Sequence, residues 1–183
     1  IAPWYEAREG KSVINFGASV GHPSVRTSVM RQSVPGADGD PDGEEASKSH
    51  QLTRWSDAAM SESEIVALEE GLEQGLADGA LGIGFGLAYT PGAGRVEIWR
   101  AFRVAARHGV ITHVHLRHSG AIEPGSAIGA VQEVLADAAS TGAALHIAHI
   151  ATTARRDLPE ALEMLDAAKE NRIDVSTEVY PWA

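Results

Sequence analysis

Gly109-Val-Ile-Thr-His-Val-His-Leu-Arg-His-Ser-Gly120 is the stretch on which the fold turns. Val110, Ile111, Thr112 and Val114 give it the apolar, β-branched start of a buried strand, and Ser119-Gly120 breaks it. Three histidines and an arginine therefore gather at the strand's C-terminal end. About thirty residues on, a second apolar run, Ala143-Ala-Leu-His-Ile-Ala-His-Ile150, also ends in a histidine, His149, followed by polar Thr152 and Thr153. Two parallel strands that each deliver an imidazole at the same end make a candidate metal site.

Outward from these strands the chain alternates. Ser12–Val20 reads as a strand, with His22 at its end and Pro23 opening a short helix over Ser24–Arg31. Ser61-Glu-Ser-Glu64 is a capping box, and Ile65, Leu68, Leu72 and Leu76 then repeat at helical spacing as far as Gly79. Ala80–Gly86 is the next strand. Helices over Arg95–His108 and Ser126–Thr141 stop at Gly109 and Gly142, and a further helix covers Leu158–Asn171, with Asp157 as its expected N-cap. Ile173–Tyr180 is the last strand. The spacing of about thirty residues is that of a βα unit, so a parallel sheet follows. A doubly wound sheet and a (β/α)8 barrel both fit this order. A whole barrel takes roughly 250 residues, so five strands in 183 residues would be a little more than half of one. The ends, Ile1 and Ala183, read as cut from something longer. Residues 32–54, rich in Gly, Asp, Pro and Ser, have the composition of a long loop or lid.

Composition narrows the chemistry. With 44% hydrophobic residues the chain can bury a core, while no run is apolar enough for a membrane span, and the expected location is cytoplasmic. The net charge of −10, with 15 scattered basic residues, argues against nucleic acid as a partner. There is no cysteine, so any metal in this chain must use His, Asp or Glu. Residues i and i+2 of a strand share a face. His113 and His115 therefore point the same way, and Leu145, Ile147 and His149 share a face from which His146 is excluded. His115 and His149, each last on its face, are the favoured ligand pair, His113 is a possible third, and His50, His108 and His146 are read as structural or surface residues. Arg117 is a candidate for binding an anionic group. The glycines of Gly82-Ile-Gly-Phe-Gly86 lie within a strand rather than in a turn that opens a helix, so they read as small residues for close packing, not as a dinucleotide loop. No Gly-x-Ser-x-Gly elbow supports a serine hydrolase.

Taken in order, Asn15-Phe-Gly-Ala-Ser-Val-Gly-His22, Gly79–Gly92, His115-Leu-Arg117, His146-Ile-Ala-His-Ile150 and Thr177-Glu-Val-Tyr-Pro-Trp182 resemble the D-aminoacylase (N-acyl-D-amino-acid deacylase) branch of the amidohydrolase superfamily. The resemblance covers roughly residues 12 to 182. It implies a partial catalytic domain: part of a metal-dependent (β/α)8 barrel, with the flanking barrel units and a small β-sandwich outside the chain. It further implies one or two Zn2+ ions in the full protein, His115 and His149 as ligands, Tyr180 against the substrate's carboxylate, and an N-acyl amino acid as the small-molecule partner. The resemblance puts no general base within this stretch. The family's earlier His-x-His pair, bridging cysteine and late aspartate have no counterpart here, and Ala151 stands where the family commonly has lysine. The competing expectations are a cyclic-amide hydrolase, of the hydantoinase or dihydropyrimidinase kind, and a non-catalytic barrel segment. Exposed strand edges would favour a homo-oligomer.

Overall fold

The computed structural model describes residues 1–33 and 55–181. The loop or lid expected at about 32–54 therefore lies almost wholly outside the described residues. The elements, in order, are α1 (Ala2–Glu6), β1 (Val20–Gly21), α2 (His22–Gln32), α3 (Glu62–Ala77), β2 (Gly82–Gly86), α4 (Arg95–His108), β3 (Ile111–His115), α5 (Ala127–Thr141), β4 (Ala144–Ile147), α6 (Ile150–Ala154), α7 (Leu158–Glu170) and β5 (Val175–Thr177).

The five strands form one parallel sheet in the order β1-β2-β3-β4-β5. That order decides between the two architectures. A doubly wound sheet reverses its strand order partway and covers both faces with helices. Here each strand is added beside the last, and residues pointing to one face are consistently buried: Ile83, Phe85, Thr112, Val114, Leu145, Ile147 and Val175. This face receives the helices, through side chains such as Leu68 and Leu72 of α3, Ile98 and Phe102 of α4, and Val131 and Val134 of α5. The opposite face carries Gly84, Gly86, His113, His115, His146 and Ser176, all only partly covered. The sheet is a section of barrel wall, with helices outside and polar residues inside.

Local signals explain the elements. Ser61 accepts from the Glu64 N–H at 3.4 Å while the Glu64 carboxylate accepts from the Ser61 N–H at 2.8 Å, so the capping box closes as the sequence predicts. Helices α4 and α5 end at Gly109 and Gly142, both left-handed. Asp157 takes the N-cap position of α7 without a side-chain capping bond. At Gly82 a Cβ would come within 2.5 Å of the Ile111 carbonyl oxygen, so glycine is what lets β2 lie this close to β3.

Two strand expectations are corrected. Ser12–Val20 is not a strand, because only Val20 and Gly21 pair with β2. Val13 and Ile14 face solvent, so no burial offsets the entropy of ordering them. The run 143–150 is strand only over Ala144–Ile147, and Ile150 already begins the short helix α6. Among the described residues no helix is long and apolar enough to cross a membrane.

Candidate metal centre and its cavity

His115 is the last residue of β3, on the inner face with His113. His149 reaches the same place by a different route. The Ala148 N–H still donates to the Val114 carbonyl at 3.0 Å, continuing the pairing of β4 with β3 by one residue. His149 then turns left-handed, at φ 38° and ψ 49°. Strict alternation would have sent it to the helix side with Leu145 and Ile147. The left-handed turn swings the imidazole onto His115 instead, and the buried Ile150 beyond it fixes the turn. A non-glycine residue in this region costs about 1–2 kcal/mol, so the surrounding structure has to hold it there.

The two imidazoles meet with His115 Nδ1 2.9 Å from His149 Nε2, their rings edge to face. Tyr89 stacks on His115 and Tyr180 on His149, at centroid distances of 5.0 and 5.2 Å. His115, His149 and Tyr180 border a cavity of about 220 Å3 that is also lined by His118, Thr152, Thr153 and Arg155. Burial, and then the neighbouring His149, push the His115 pKa down, which favours the neutral imidazole that a metal requires. His149 Nδ1 is buried with no hydrogen-bond partner among the described residues. Beside the pair, Gly84 and Gly86 of β2 are in register with His113 and His115 and bring no side chain to the inner face, and the Tyr89 ring lies against Gly86.

The donor chemistry fits zinc in part. His115 Nδ1 and His149 Nε2 would offer zinc two imidazole nitrogens, a donor type it takes. Two imidazoles do not complete a site, however, and among the described residues no group of three or more His, Cys, Asp or Glu is placed to hold a metal. His113 lies one layer below the pair. Its ring meets His146 at 5.5 Å, and burial, then His146, push its pKa down. His146, which the sequence left as structural or surface, belongs to this inner layer too. Its Nδ1 is 2.9 Å from Ser176 Oγ and its Nε2 3.6 Å from the Glu178 carboxylate.

Arg117 is placed differently from the expectation that it binds an anion. Its Nε and Nη2 donate to Glu133 of α5 at 2.9–3.2 Å and its Nη1 to the Pro91 carbonyl at 3.3 Å, with both charged groups buried. The guanidinium ties the end of β3 to α5 through Glu133, which Arg95 also binds. Arg155 was missed as a cavity residue, and Tyr89 as the ring that stacks on His115. Tyr89 follows the end of β2 by three residues, and its position just past a strand's C-terminal end was the available signal.

Behind Arg117, burial raises the Asp137 carboxyl to about 6, against the opposing pull of Arg95 and Arg117. A folded-state pKa above the unfolded one means that Asp137 favours the fold while protonated. That contribution is full below about pH 4 and is lost as pH rises through 6. Asp137→Asn should therefore raise the denaturation midpoint at pH 8, by about 1 kcal/mol after allowing for the water that still reaches the group. The gain should vanish at pH 4; an equal gain at both values would show that the proton is not its origin.

The comparisons agree with this geometry. No sequence-family profile matches the chain. An N-acyl-D-glutamate deacylase from Alcaligenes xylosoxydans xylosoxydans is 30% identical over 189 aligned positions, taking in 100% of this chain and 33% of the relative. The chain is similar to these deacylases throughout. A crystal structure of N-acyl-D-glutamate deacylase from Bordetella bronchiseptica, complexed with zinc and a phosphonate mimic of the tetrahedral intermediate, superposes with a TM-score of 0.76 at 28% identity. It is matched over 100% of this chain and 34% of its own. A D-aminoacylase structure, described as defining a novel subset of amidohydrolases, gives a TM-score of 0.73 at 24% identity and supports the fold alone. The chain thus spans about a third of the length of the deacylases it matches.

Proposed function

We propose that this chain is the part of a metal-dependent amidohydrolase that carries two of its metal ligands, and that the protein hydrolyses the amide of an N-acyl-D-amino acid. The observation that carries the reading is the meeting of His115 Nδ1 and His149 Nε2 at 2.9 Å, in a cavity at the C-terminal ends of β3 and β4. Active sites of barrels of this kind sit at that end. The match to an N-acyl-D-glutamate deacylase supports a linear amide over a cyclic one.

In this reading His115 and His149 hold zinc through the nitrogens that now face each other. Zinc supplies a bound water with a pKa near 7 and polarises the carbonyl under attack. The remaining work falls to the chain's own residues. Tyr89 and Tyr180, stacked on the outer faces of the two imidazoles, fix the ring planes and keep bulk water off them. Gly84 leaves space for the acyl group over β2. Tyr180 directs its phenol toward the substrate's carboxylate. No Asp or Glu lines the cavity among the described residues, so the group that moves the proton comes from elsewhere in the protein.

The test uses the full-length protein. Zinc measured by elemental analysis should be present in the parent and reduced in His115→Ala. A panel of N-acetyl-D-amino acids should be hydrolysed while hydantoin and dihydrouracil are not. Normal zinc content and normal turnover in His115→Ala would sink the assignment. Turnover of the cyclic amides alone would transfer it to the competing hydrolase class.

A further inference from the structure

Beyond the metal pair, the cavity contains a cation, Arg155, with no acidic partner among the described residues. We propose that Arg155 binds the α-carboxylate of the substrate, supplying the charge that fixes which end of an N-acyl amino acid faces the two histidines. This deepens the proposed function and rests on it.

The cavity shared by His115, His149 and Tyr180 is lined by two arginines. One of them, Arg117, is held by buried Glu133, a carboxylate it shares with Arg95. Arg155 is exposed and has no carboxylate within ion-pair distance among the described residues. Its Nε donates weakly to the Thr152 carbonyl at 3.4 Å, and its Nη1 and Nη2 have no hydrogen-bond partner among the described residues. The adjacent Arg156 is occupied by Asp157 and the Ala121 carbonyl, so the two neighbours are not equivalent. Ala151, two residues after His149, brings no charge to this turn.

Backbone conformation adds a second, independent observation. Three non-glycine residues among those described have positive φ: His149, Arg155 and Arg172. The first two line this one cavity. Arg155, at φ 51° and ψ −113°, sits where an L residue is strained. Strain of this sort collects where a side chain has to be aimed. A guanidinium with both terminal nitrogens free presents the planar fork that matches a carboxylate's two oxygens. Among the described residues no acidic side chain lines the cavity to repel such an anion.

The experiment compares N-acetyl-D-leucine with N-acetyl-D-leucinamide, which differ only in the carboxylate, on zinc-loaded full-length protein. Binding is read by calorimetry and hydrolysis by KM and kcat. Arg155→Gln should weaken binding of the acid and raise its KM by about 10- to 100-fold, the worth of a charge-assisted hydrogen bond, with the loss falling on KM rather than kcat. Affinity for the amide should not change, and Arg155→Lys should restore part of the loss for the acid. Equal losses for acid and amide, no loss for either, or a parent that does not bind the acid would each overturn the assignment. A parent that binds the acid through Arg155 without hydrolysing it would leave Arg155 standing and remove the proposed function. A parent that hydrolyses the acid with no dependence on Arg155 would do the reverse.

Discussion

Glu97→Ala is expected to destabilise the protein by about 3–5 kcal/mol, the cost of stranding a buried charge by removing its partner. His22, Arg26 and Met30 follow one another at i, i+4 and i+8 along α2, and this face is turned inward, with His22 and Arg26 fully buried. Glu97 of α4, itself 1% exposed, answers both polar groups. His22 Nε2 donates to Glu97 Oε1 at 2.8 Å, and Arg26 Nη1 donates to both carboxylate oxygens. The other nitrogens of Arg26 hold the carbonyls of Trp55 and Ala58, so this one guanidinium fastens the segment that leads into α3. Removing Glu97 leaves Arg26 charged with only carbonyl partners.

The same network sets an acid limb on stability. Burial alone would raise the Glu97 carboxyl, but hydrogen bonds from His22 and Arg26 outweigh it and hold its pKa below the ordinary value. Its contribution is therefore present above the ordinary carboxylate range and is lost as pH falls through the lowered value. His22 is pushed down mainly by burial, so the fold keeps it neutral while the unfolded chain takes up a proton below about pH 6.5. Thermal melts of the full-length parent and Glu97→Ala at pH 7 and pH 4 measure both effects. The gap between the two proteins should narrow at pH 4, and an unchanged midpoint at pH 7 would mean that Arg26 finds another acid.

How much of this was legible depends on how local each cause is. The capping box at Ser61–Glu64, the glycine stops and the thirty-residue strand spacing are written in adjacent residues, and they yielded the parallel sheet directly. The choice of barrel wall over doubly wound sheet was not local, because it rests on the order in which strands lie side by side. The histidine pair was legible as two strand ends, but the reason it converges was not. Period-two alternation assigns His149 to the helix face, and only the left-handed turn, imposed by the burial of Ile150 and the pairing of Ala148, reverses that. The engagement of Arg117 by Glu133 was not legible, because Glu133 lies sixteen residues away on a helix and nothing near Arg117 announces it. His22 and Arg26 share this lesson, since their partner is more than seventy residues distant.

The turn at His149 allows chemistry and stability to be separated at one position. His149→Gly should abolish most activity while leaving stability within about 1 kcal/mol of the parent. Glycine occupies φ 38° without steric cost, and this relief of about 1 kcal/mol offsets the greater entropy of its unfolded state. His149→Ala loses the same imidazole but keeps the strained backbone, so it should be the less stable of the two by about 1 kcal/mol. Both lose the nitrogen that faces His115 and the ring that stacks on Tyr180. If even outer partners of a metal site cost 10–100-fold when removed, loss of a direct ligand should lower zinc-dependent turnover by at least about 100-fold in each variant. Equal inactivity with unequal melting temperatures, glycine above alanine, would fit a ligand presented by a strained turn. A glycine variant that kept its zinc and its turnover would reduce His149 to a structural residue, and with it the pairing on which the functional reading depends.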